Sequence, residues 1–523
     1  MANLEFSGSL EPSDPYDNAV LIVGQLKHLS KLRFEDVQCK FGSRVDAETF
    51  LACISSLHPS PTDQCSLWLN SATVAALPLK CSRHNTPSRC HSLTKLVKSC
   101  LAGGQEYIVI VCEHENVYAS GLAVARALPL YSAKSGSHNN SARKVTVEFI
   151  VLEDEKIVSL TSDELECIRM GADGVRLAAK IVDMPCSEMN VDNFLQEIHE
   201  VGRQLNIVPK VISGEELAQK GFGGIYGVGK AAVVPPALAI LSHIVPNSTE
   251  TIAWVGKGIV YDTGGLCIKT KTGMCGMKRD CGGAAAVLGA FKTAVRLGFT
   301  ETLHAVFCLA DNAIGPLAQR PDDIVHMYSG RTVEINNTDA EGRLVLGDGV
   351  AYAVKDLRSD IIVDMATLTG AQGIATGKYH ASILTNNDKL EELCVKVGRS
   401  SGDLVHPVPF TPELHSPEFS SAIADMKNSV ADRGNAQVSC AGLFIMSHLG
   451  QDYPGAWLHV DIASPAYSGE RATGYGVALL TALFGDRSLN SLLRLIGPSG
   501  VVVNNGIAME EDEEDGPKRL KLN

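Results

Sequence analysis

No apolar run in this sequence approaches the roughly 18 residues that a membrane-crossing helix needs, so an integral α-helical membrane protein is not expected. Residues Met1 to Phe6 lack a basic stretch followed by an apolar one, and no secretory signal is expected there. Positive charge is in deficit as well. The formal net charge of −13 disfavours nonspecific nucleic-acid binding, for which a basic face is the usual footprint. Cysteine is plentiful but unpatterned: fifteen, an odd number with no repeated spacing, read as reduced thiols of a cytoplasmic or nuclear protein. One group, Cys81, His84, Cys90, His91 and Cys100, has ligand-type residues without the paired Cys-x-x-Cys spacing of a zinc site. It reads as a loop of unpaired thiols.

What is present is a cluster of chemistry in two glycine-flanked stretches. The first runs Asn337-Thr-Asp-Ala-Glu-Gly-Arg-Leu344. Asp339, Glu341 and Arg343 fall at every second position, and an extended backbone would send all three to one side. Gly342 would then permit a sharp bend into a helix that begins the pattern Leu344, Leu346, Val350, Ala351. The second stretch, Val255 to Lys269 followed by Asp280-Cys-Gly-Gly, adds Lys257, Asp262, Lys269 and Asp280. Four carboxylates and three cations thus sit at the ends of apolar runs. Hard oxygen donors of this kind suit divalent Zn, Mn or Mg, and a bridging carboxylate can hold two such ions about 3.5–4 Å apart.

These two stretches resemble the signatures of the leucyl (cytosol) aminopeptidase family of two-metal exopeptidases, and the likeness extends more loosely from about Leu177 to Phe484. The resemblance implies that Lys257, Asp262, Asp280, Asp339 and Glu341 bind two divalent metal ions, with Asp262 and Glu341 bridging them. Lys257 could be a ligand only as a neutral amine. It also implies that Lys269 and Arg343 form the catalytic pair. Lys269 would stabilise the oxyanion after a metal-bridging water attacks the first peptide bond, and Arg343 would hold a bicarbonate that accepts the proton. Met277 and the loop Thr367 to Gly370 match the family's pocket for the first side chain, whose apolar floor would favour Leu-like residues. Expected partners are peptides with a free amino terminus and, by resemblance, further copies of the chain in a homohexamer. Thr263, Thr270, Cys275, Lys278, Arg279 and Cys281 depart from the usual pattern and bear on substrate preference. Cys281, next to the implied metal ligand Asp280 and so beside dications and Arg279, would be a reactive thiol of lowered pKa if exposed. The competing reading is a catalytically weak family member acting as a scaffold; the retained Lys269 and Arg343 argue against it.

The fold class expected is α/β, with a smaller N-terminal α/β domain and a C-terminal catalytic domain built on a largely parallel sheet flanked by helices. Residues 1–165 alternate short apolar runs with helical patterns, including strands at Tyr107–Cys112 and Val145–Val151 and a helix at Gly121–Leu130. A connecting helix occupies 166–185, within a helical pattern from Asp163 to Val182 that ends before Pro185. The catalytic domain spans 186–500. In it, apolar strands at Thr251–Val255, Leu303–Leu309, Asp360–Met365 and Trp457–Ile462 alternate with helices at Gly283–Leu297, Gly342–Lys355, Lys389–Gly398 and Ala441–Leu449. The chemical residues fall at strand ends, where open α/β sheets place their ligand sites. Gly224 to Lys230 mimics a phosphate loop, but Ala231 stands where such a loop needs Ser or Thr, and a helical pattern precedes it.

Residues 501–523 form a tail in which Glu510 to Asp515 are six consecutive acids, a block that repels itself and is expected to be disordered and solvated. Lys518, Arg519 and Lys521 form a short basic address compatible with nuclear entry. Deleting Glu510 to Asn523 is expected to leave peptidase turnover unchanged in a steady-state assay; a large loss would show that the tail docks onto the enzyme.

Overall fold

The computed structural model describes residues 2–101, 103–135, 143–154, 156–450 and 453–498. The acidic tail and its basic residues lie outside the described residues. Two large sheets carry the architecture. The first runs in the order Ala2–Ser7, Arg143–Glu153, Gln105–Glu113, Ala19–Gln25, Ala72–Leu77, Asp63–Trp68. All its neighbours are parallel except the last pair and a short strand, Lys156–Val158, that folds back on Arg143–Glu153. The apolar run expected to be a strand, Tyr107–Cys112, is the centre of Gln105–Glu113, and from Ile108 to Cys112 it is buried throughout. The helix expected at Gly121–Leu130 begins four residues earlier, as Val117–Ala127.

The second sheet has eight strands, in the order Val405–Pro407, Ala381–Thr385, Ala456–Asp461, Ile361–Ala366, Thr251–Asp262, Thr302–Asn312, Ala237–His243, Lys210–Ser213. The four central strands, from Ala456–Asp461 to Thr302–Asn312, are mutually parallel, so their carboxyl ends share one edge. Residues alternate between two apolar faces along the central strand: Ile252 and Trp254 enter one core, Ala253 and Val255 the other. Helix Gly282–Arg296 covers the first face and helix Gly342–Lys355 the second. A strand buried on both sides must be apolar on both sides, which is why the sequence here shows continuous runs.

The long helix Ser162–Asp183 joins the two sheets. Thr161 and Glu164 form a reciprocal capping box at its start, and Met184 turns extended before Pro185. Its buried Arg176 donates to the carbonyls of Leu128, at 2.9 Å, and Ala2, at 2.6 Å. A single apolar core then runs from one face of the first sheet, past this helix, to one face of the second.

The phosphate-loop mimic is a helix, Gly223–Gly229, preceded by the helix Glu215–Gln219. Its glycines serve close approach. A Cβ on Gly223 would lie 2.1 Å from the His326 carbonyl oxygen, and one on Gly224 would lie 2.4 Å from that of Leu344. Leu344 belongs to the helix that carries Arg343. Replacing Gly224 by Val should therefore displace that helix or the glycine-rich one, costing ~1–3 kcal/mol. A urea titration is expected to show a lower unfolding midpoint, and an unchanged midpoint would mean the helices part freely.

Candidate active site

The site assembles at the carboxyl edge of the second sheet. Strand Thr251–Asp262 supplies Lys257 from its interior and Asp262 from its end. The adjacent strand ends at Asn312, whose Nδ2 donates to Asp262 Oδ1 at 2.8 Å; the Gly264 N–H donates to the same oxygen at 2.8 Å. On the other side Ile361–Ala366 leads directly into Thr367, and Ala456–Asp461 ends on Asp461. Asp280 lies in a 3-10 turn, Met277–Cys281, that feeds helix Gly282–Arg296.

The signature around Asp339 reaches the site differently from the extended run expected of it. The Ala340 N–H donates to the Asn337 carbonyl across a turn, and Glu341 already has helical backbone angles, φ −73° and ψ −35°, as the residue before helix Gly342–Lys355. A turn followed by a helix start, rather than a period of two, brings Asp339 and Glu341 to one side. Gly342 makes no bend. A Cβ there would lie 2.6 Å from Lys257 Cε, so the glycine admits the lysine stem. The loop is pinned by Asn428, fully buried, which accepts from the N–H groups of Asn336 and Asn337 and donates to the Asn337 carbonyl at 2.6 Å. Nothing in the sequence marked Asn428, because it comes from a segment 91 residues downstream of Asn337.

Two lysines interleave four carboxylates. Lys257 Nζ lies 2.8 Å from Asp280 Oδ2 and 3.0 Å from Glu341 Oε1, and donates to the Thr367 carbonyl at 2.9 Å. Lys269 Nζ lies 2.8 Å from Asp262 Oδ2 and also pairs with Asp339. Burial alone would lower the pKa of both lysines. The carboxylates of Asp280, Glu341 and Asp262 outweigh it at Lys257, those of Asp262, Glu341 and Asp339 do so at Lys269, and both are held up as ammonium ions. Burial also raises the acids, Glu341 to about 8 and Asp280 to about 6. Arg343, half-buried beside them, is lowered to about 10 by desolvation and donates from Nη1 to the Asn428 carbonyl at 3.0 Å.

This donor set fits divalent cations. Asp262, Asp280 and Glu341 each present an oxygen within 4.8 Å of the others. Four carboxylates face only two lysines, and the buried Glu341 Oε2 has no hydrogen-bond partner. A buried carboxyl group that burial pushes toward its protonated form, with an oxygen left unmatched, is one whose charged form a hard dication would stabilise. Asp339 stands slightly apart, joined to the trio through Lys269.

The cavity over these groups measures about 490 Å³ and includes every residue given a metal, catalytic or pocket role from the sequence: Lys257, Asp262, Lys269, Asp280, Asp339, Glu341, Arg343, Met277, Thr367 and Gly370; of the departures from the usual pattern it includes Cys275 and Arg279. Thr367 Oγ1 donates to Asp280 Oδ1 at 3.0 Å. Asp461, which the sequence reading passed over, clamps the Thr367 loop by accepting from the N–H groups of Leu368 and Thr369 and from Thr369 Oγ1. Its position at the end of an apolar strand was the signal available. Arg279 and Tyr467 also line the cavity, with the guanidinium 4.0 Å from the ring centroid.

Cys281 contradicts the expectation of a reactive thiol. It is 1% exposed, donates to the Lys278 carbonyl, and burial pushes its pKa up to about 12. The suspected thiol–imidazole group of the first sheet does not converge either. Cys81 donates to the Thr86 carbonyl and Cys100 to Gln64, and among the described residues the only cluster of three ligand-type groups is Asp262, Asp280 and Glu341.

Fold and site together define an α/β protein whose carboxylate-rich centre occupies the carboxyl edge of a parallel sheet. Comparison with known proteins narrows this. Residues 176–481 match the model of the cytosol aminopeptidase family, catalytic domain, and residues 18–137 match the M17 aminopeptidase N-terminal domain 2. The human probable aminopeptidase NPEPL1 is 60% identical over 509 residues, covering 96% of this chain and 97% of that protein. Leucine aminopeptidase 1 of Caenorhabditis elegans is 43% identical over 475 residues, covering 89% of this chain and 94% of its own length, and the structure of that worm enzyme superposes with a TM-score of 0.88, covering 94% of this chain and 100% of that one. A leucyl aminopeptidase of Trypanosoma brucei, solved in complex with bestatin, has a TM-score of 0.82 at 34% identity and covers 93% of this chain and 96% of its own. The chain belongs to the cytosol aminopeptidase family.

Thiol labelling should follow burial rather than proximity to charge. Brief iodoacetamide treatment of the native protein, read by peptide mass spectrometry, is expected to modify the exposed Cys275 and spare Cys281; rapid modification of Cys281 would show that its turn opens.

Proposed function

We propose that the chain is a metal-dependent aminopeptidase that removes N-terminal residues, Leu-like ones above others, from peptides with a free amino group. The observation that carries this reading is the buried trio Asp262, Asp280 and Glu341, with Asp339 beside it, interleaved by two lysines and left with an unmatched Glu341 oxygen. Lys257, Asp262, Asp280, Asp339 and Glu341 would hold two divalent ions, Zn, Mn or Mg. When bound, such ions supply Lewis acidity toward a carbonyl and lower the pKa of water.

The protein's own groups have separable tasks. Lys257 could join a metal only as the neutral amine, so its ammonium, now held by Asp280 and Glu341, would have to give up its proton to serve as a ligand. Lys269, less buried than Lys257 and open to the cavity, is the cation placed to meet negative charge developing on a peptide oxygen. Arg343 has no basic lone pair, so it serves as an anchor for an anion. Its buried Nε has no partner, which suits a bicarbonate that would accept a proton beside the site. Met277, Leu368 and Ala463 bring apolar surface to the cavity, while Thr367 and Gly370 shape the loop alongside. This supports the preference for a Leu-like first side chain.

Residues 1–165, the connector 166–185, the catalytic portion 186–500 and the tail 501–523 form the proposed division of the chain. Family resemblance supports a homohexamer in the cytoplasm, with a nuclear fraction if the basic residues of the tail are read. Among the described residues no helix is long and apolar enough to cross a membrane.

The test uses protein loaded with Mn²⁺ or Zn²⁺ and offered Leu-amide, Met-amide and their N-acetylated forms. Cleavage is expected only for the free amines. Asp339→Asn should abolish it and reduce metal content, whereas Lys269→Ala should keep both metals and lose on the order of 10²–10³ in kcat. Equal, negligible turnover by wild type and Lys269→Ala with both metals verified by elemental analysis would replace this reading with a scaffold.

A further inference from the structure

A second cavity, about 540 Å³, opens beside the catalytic one and shares two wall residues with it, Ser464 and Tyr467. One wall is the helix Cys90–Cys100 from the first half of the chain. It contributes His91, Thr94, Lys95 and Lys98, whose spacing of three and four residues places them on one helical face. The opposite wall comes from the catalytic half, with Lys378 and Tyr379 on one loop and Arg471 beyond the turn that carries Tyr467. Arg126 closes the floor.

Its chemistry is one-sided. Among the described residues five cations line the cavity and no acidic side chain does, in a protein whose net charge is −13. Two of the five are matched from behind: Arg126 pairs with Asp403 at 2.5 Å and Arg471 with Asp183 at 2.9 Å. Burial and then Arg471 press the Lys98 pKa down, against which Asp183 acts at longer range. Among the described residues Lys95, Lys98 and Lys378 have no ion-pair partner. His91 keeps Nε2 buried without a hydrogen bond, and burial together with Arg126, His380 and Lys95 lowers its pKa to about 4, so it lines the wall as a neutral ring. Unmatched cations converging on a concavity raise the local concentration of anions.

We propose that this cavity is an anion subsite of the peptide cleft, which takes a carboxylate carried by the substrate as the chain leaves the centre past Ser464 and Tyr467. The carboxylate can come from an acidic side chain or from the carboxyl terminus of a short peptide, and the lysines recognise either. This proposal rests on the aminopeptidase reading and adds a substrate class to it: acidic or short, free-acid peptides. The Arg279 guanidinium over the Tyr467 ring stiffens the wall between the two spaces, with Nη2 donating to the Gly469 carbonyl at 3.2 Å.

The experiment compares kcat/KM for matched pairs: Leu-Glu-Gly-amide with Leu-Gln-Gly-amide, Leu-Gly-Glu-amide with Leu-Gly-Gln-amide, and Leu-Gly-Gly with its amide. At least one pair is expected to favour the anion on the order of tenfold at low salt, with the advantage shrinking as NaCl is raised. The pair that responds identifies the source of the carboxylate. In Lys95→Ala/Lys98→Ala/Lys378→Ala the ratio should collapse toward one, while Lys389→Ala, on a different helix, should retain it. The three lysines are exposed, so the triple variant is expected to fold, and circular dichroism checks this. No discrimination within any pair, or a ratio that survives in the triple variant, overturns the proposal. So does calorimetric binding of inorganic phosphate to wild type without any substrate preference, which would make the cavity a free-anion site. If no peptide is cleaved at all, the aminopeptidase reading fails separately, and calorimetry of the same pairs on wild type and triple variant still decides the subsite.

Discussion

Charge compensation at one sheet edge is the constraint on which the rest of the structure depends. Asp262, Asp280, Asp339 and Glu341 converge in a space where two of them, Asp280 and Glu341, are raised far above the usual carboxylate range by burial. Such a group of acids is tolerable only with cations between them. Lys257 and Lys269 take those places, one bridging Asp280 and Glu341, the other Asp262 and Asp339. Even with Arg343 counted, four carboxyl groups face three cations, and that imbalance is what suits the centre to dications.

The supporting architecture exists to hold that arrangement still. Four parallel strands end together, and their last residues or the residues just past them hold the acids: Asn312 fixes Asp262, Thr367 fixes Asp280, and Asp461 fixes the Thr367 loop. Asn428 does the same for the turn before Glu341. Each of these partners is itself buried, so each acid is oriented by groups that have no alternative solvent contact. Among the described residues the first sheet contributes no group to the cavity over the acids. It meets the second through a shared apolar core, and its Cys90–Cys100 helix forms one wall of the cationic cavity next door.

Comparison with the fifteen cysteines shows how little charge proximity means without exposure. Cys281 lies next to a predicted metal ligand and two residues from an arginine, yet its thiol faces inward and is raised by burial. Most of the other thiols are likewise buried or half-buried, and Cys275 alone is exposed. Their abundance reflects their use as small apolar packing residues, with nothing in the described part of the chain assembling them into a metal site.

By itself the sequence determined the periodicity of the second half, most of the central strands and helices to within a few residues, and the identity of every acid and lysine in the centre, although the strand expected at Thr251–Val255 runs seven residues further, to Asp262. Those features are local: doubly buried strands need continuous apolar runs, and chemistry-bearing residues beside glycines stand out against them. The tertiary structure decided how the pieces meet. The signature containing Asp339 and Glu341 is a turn and a helix start, because Asn428 and the stem of Lys257 constrain it, and neither constraint lies nearby in the chain. Whether Cys281 reacts, what Gly224 packs against, and that Lys95, Lys98 and Lys378 surround one cavity are likewise long-range facts. Burial and convergence are properties of contacts between distant segments, and a linear pattern holds no record of the distances between them.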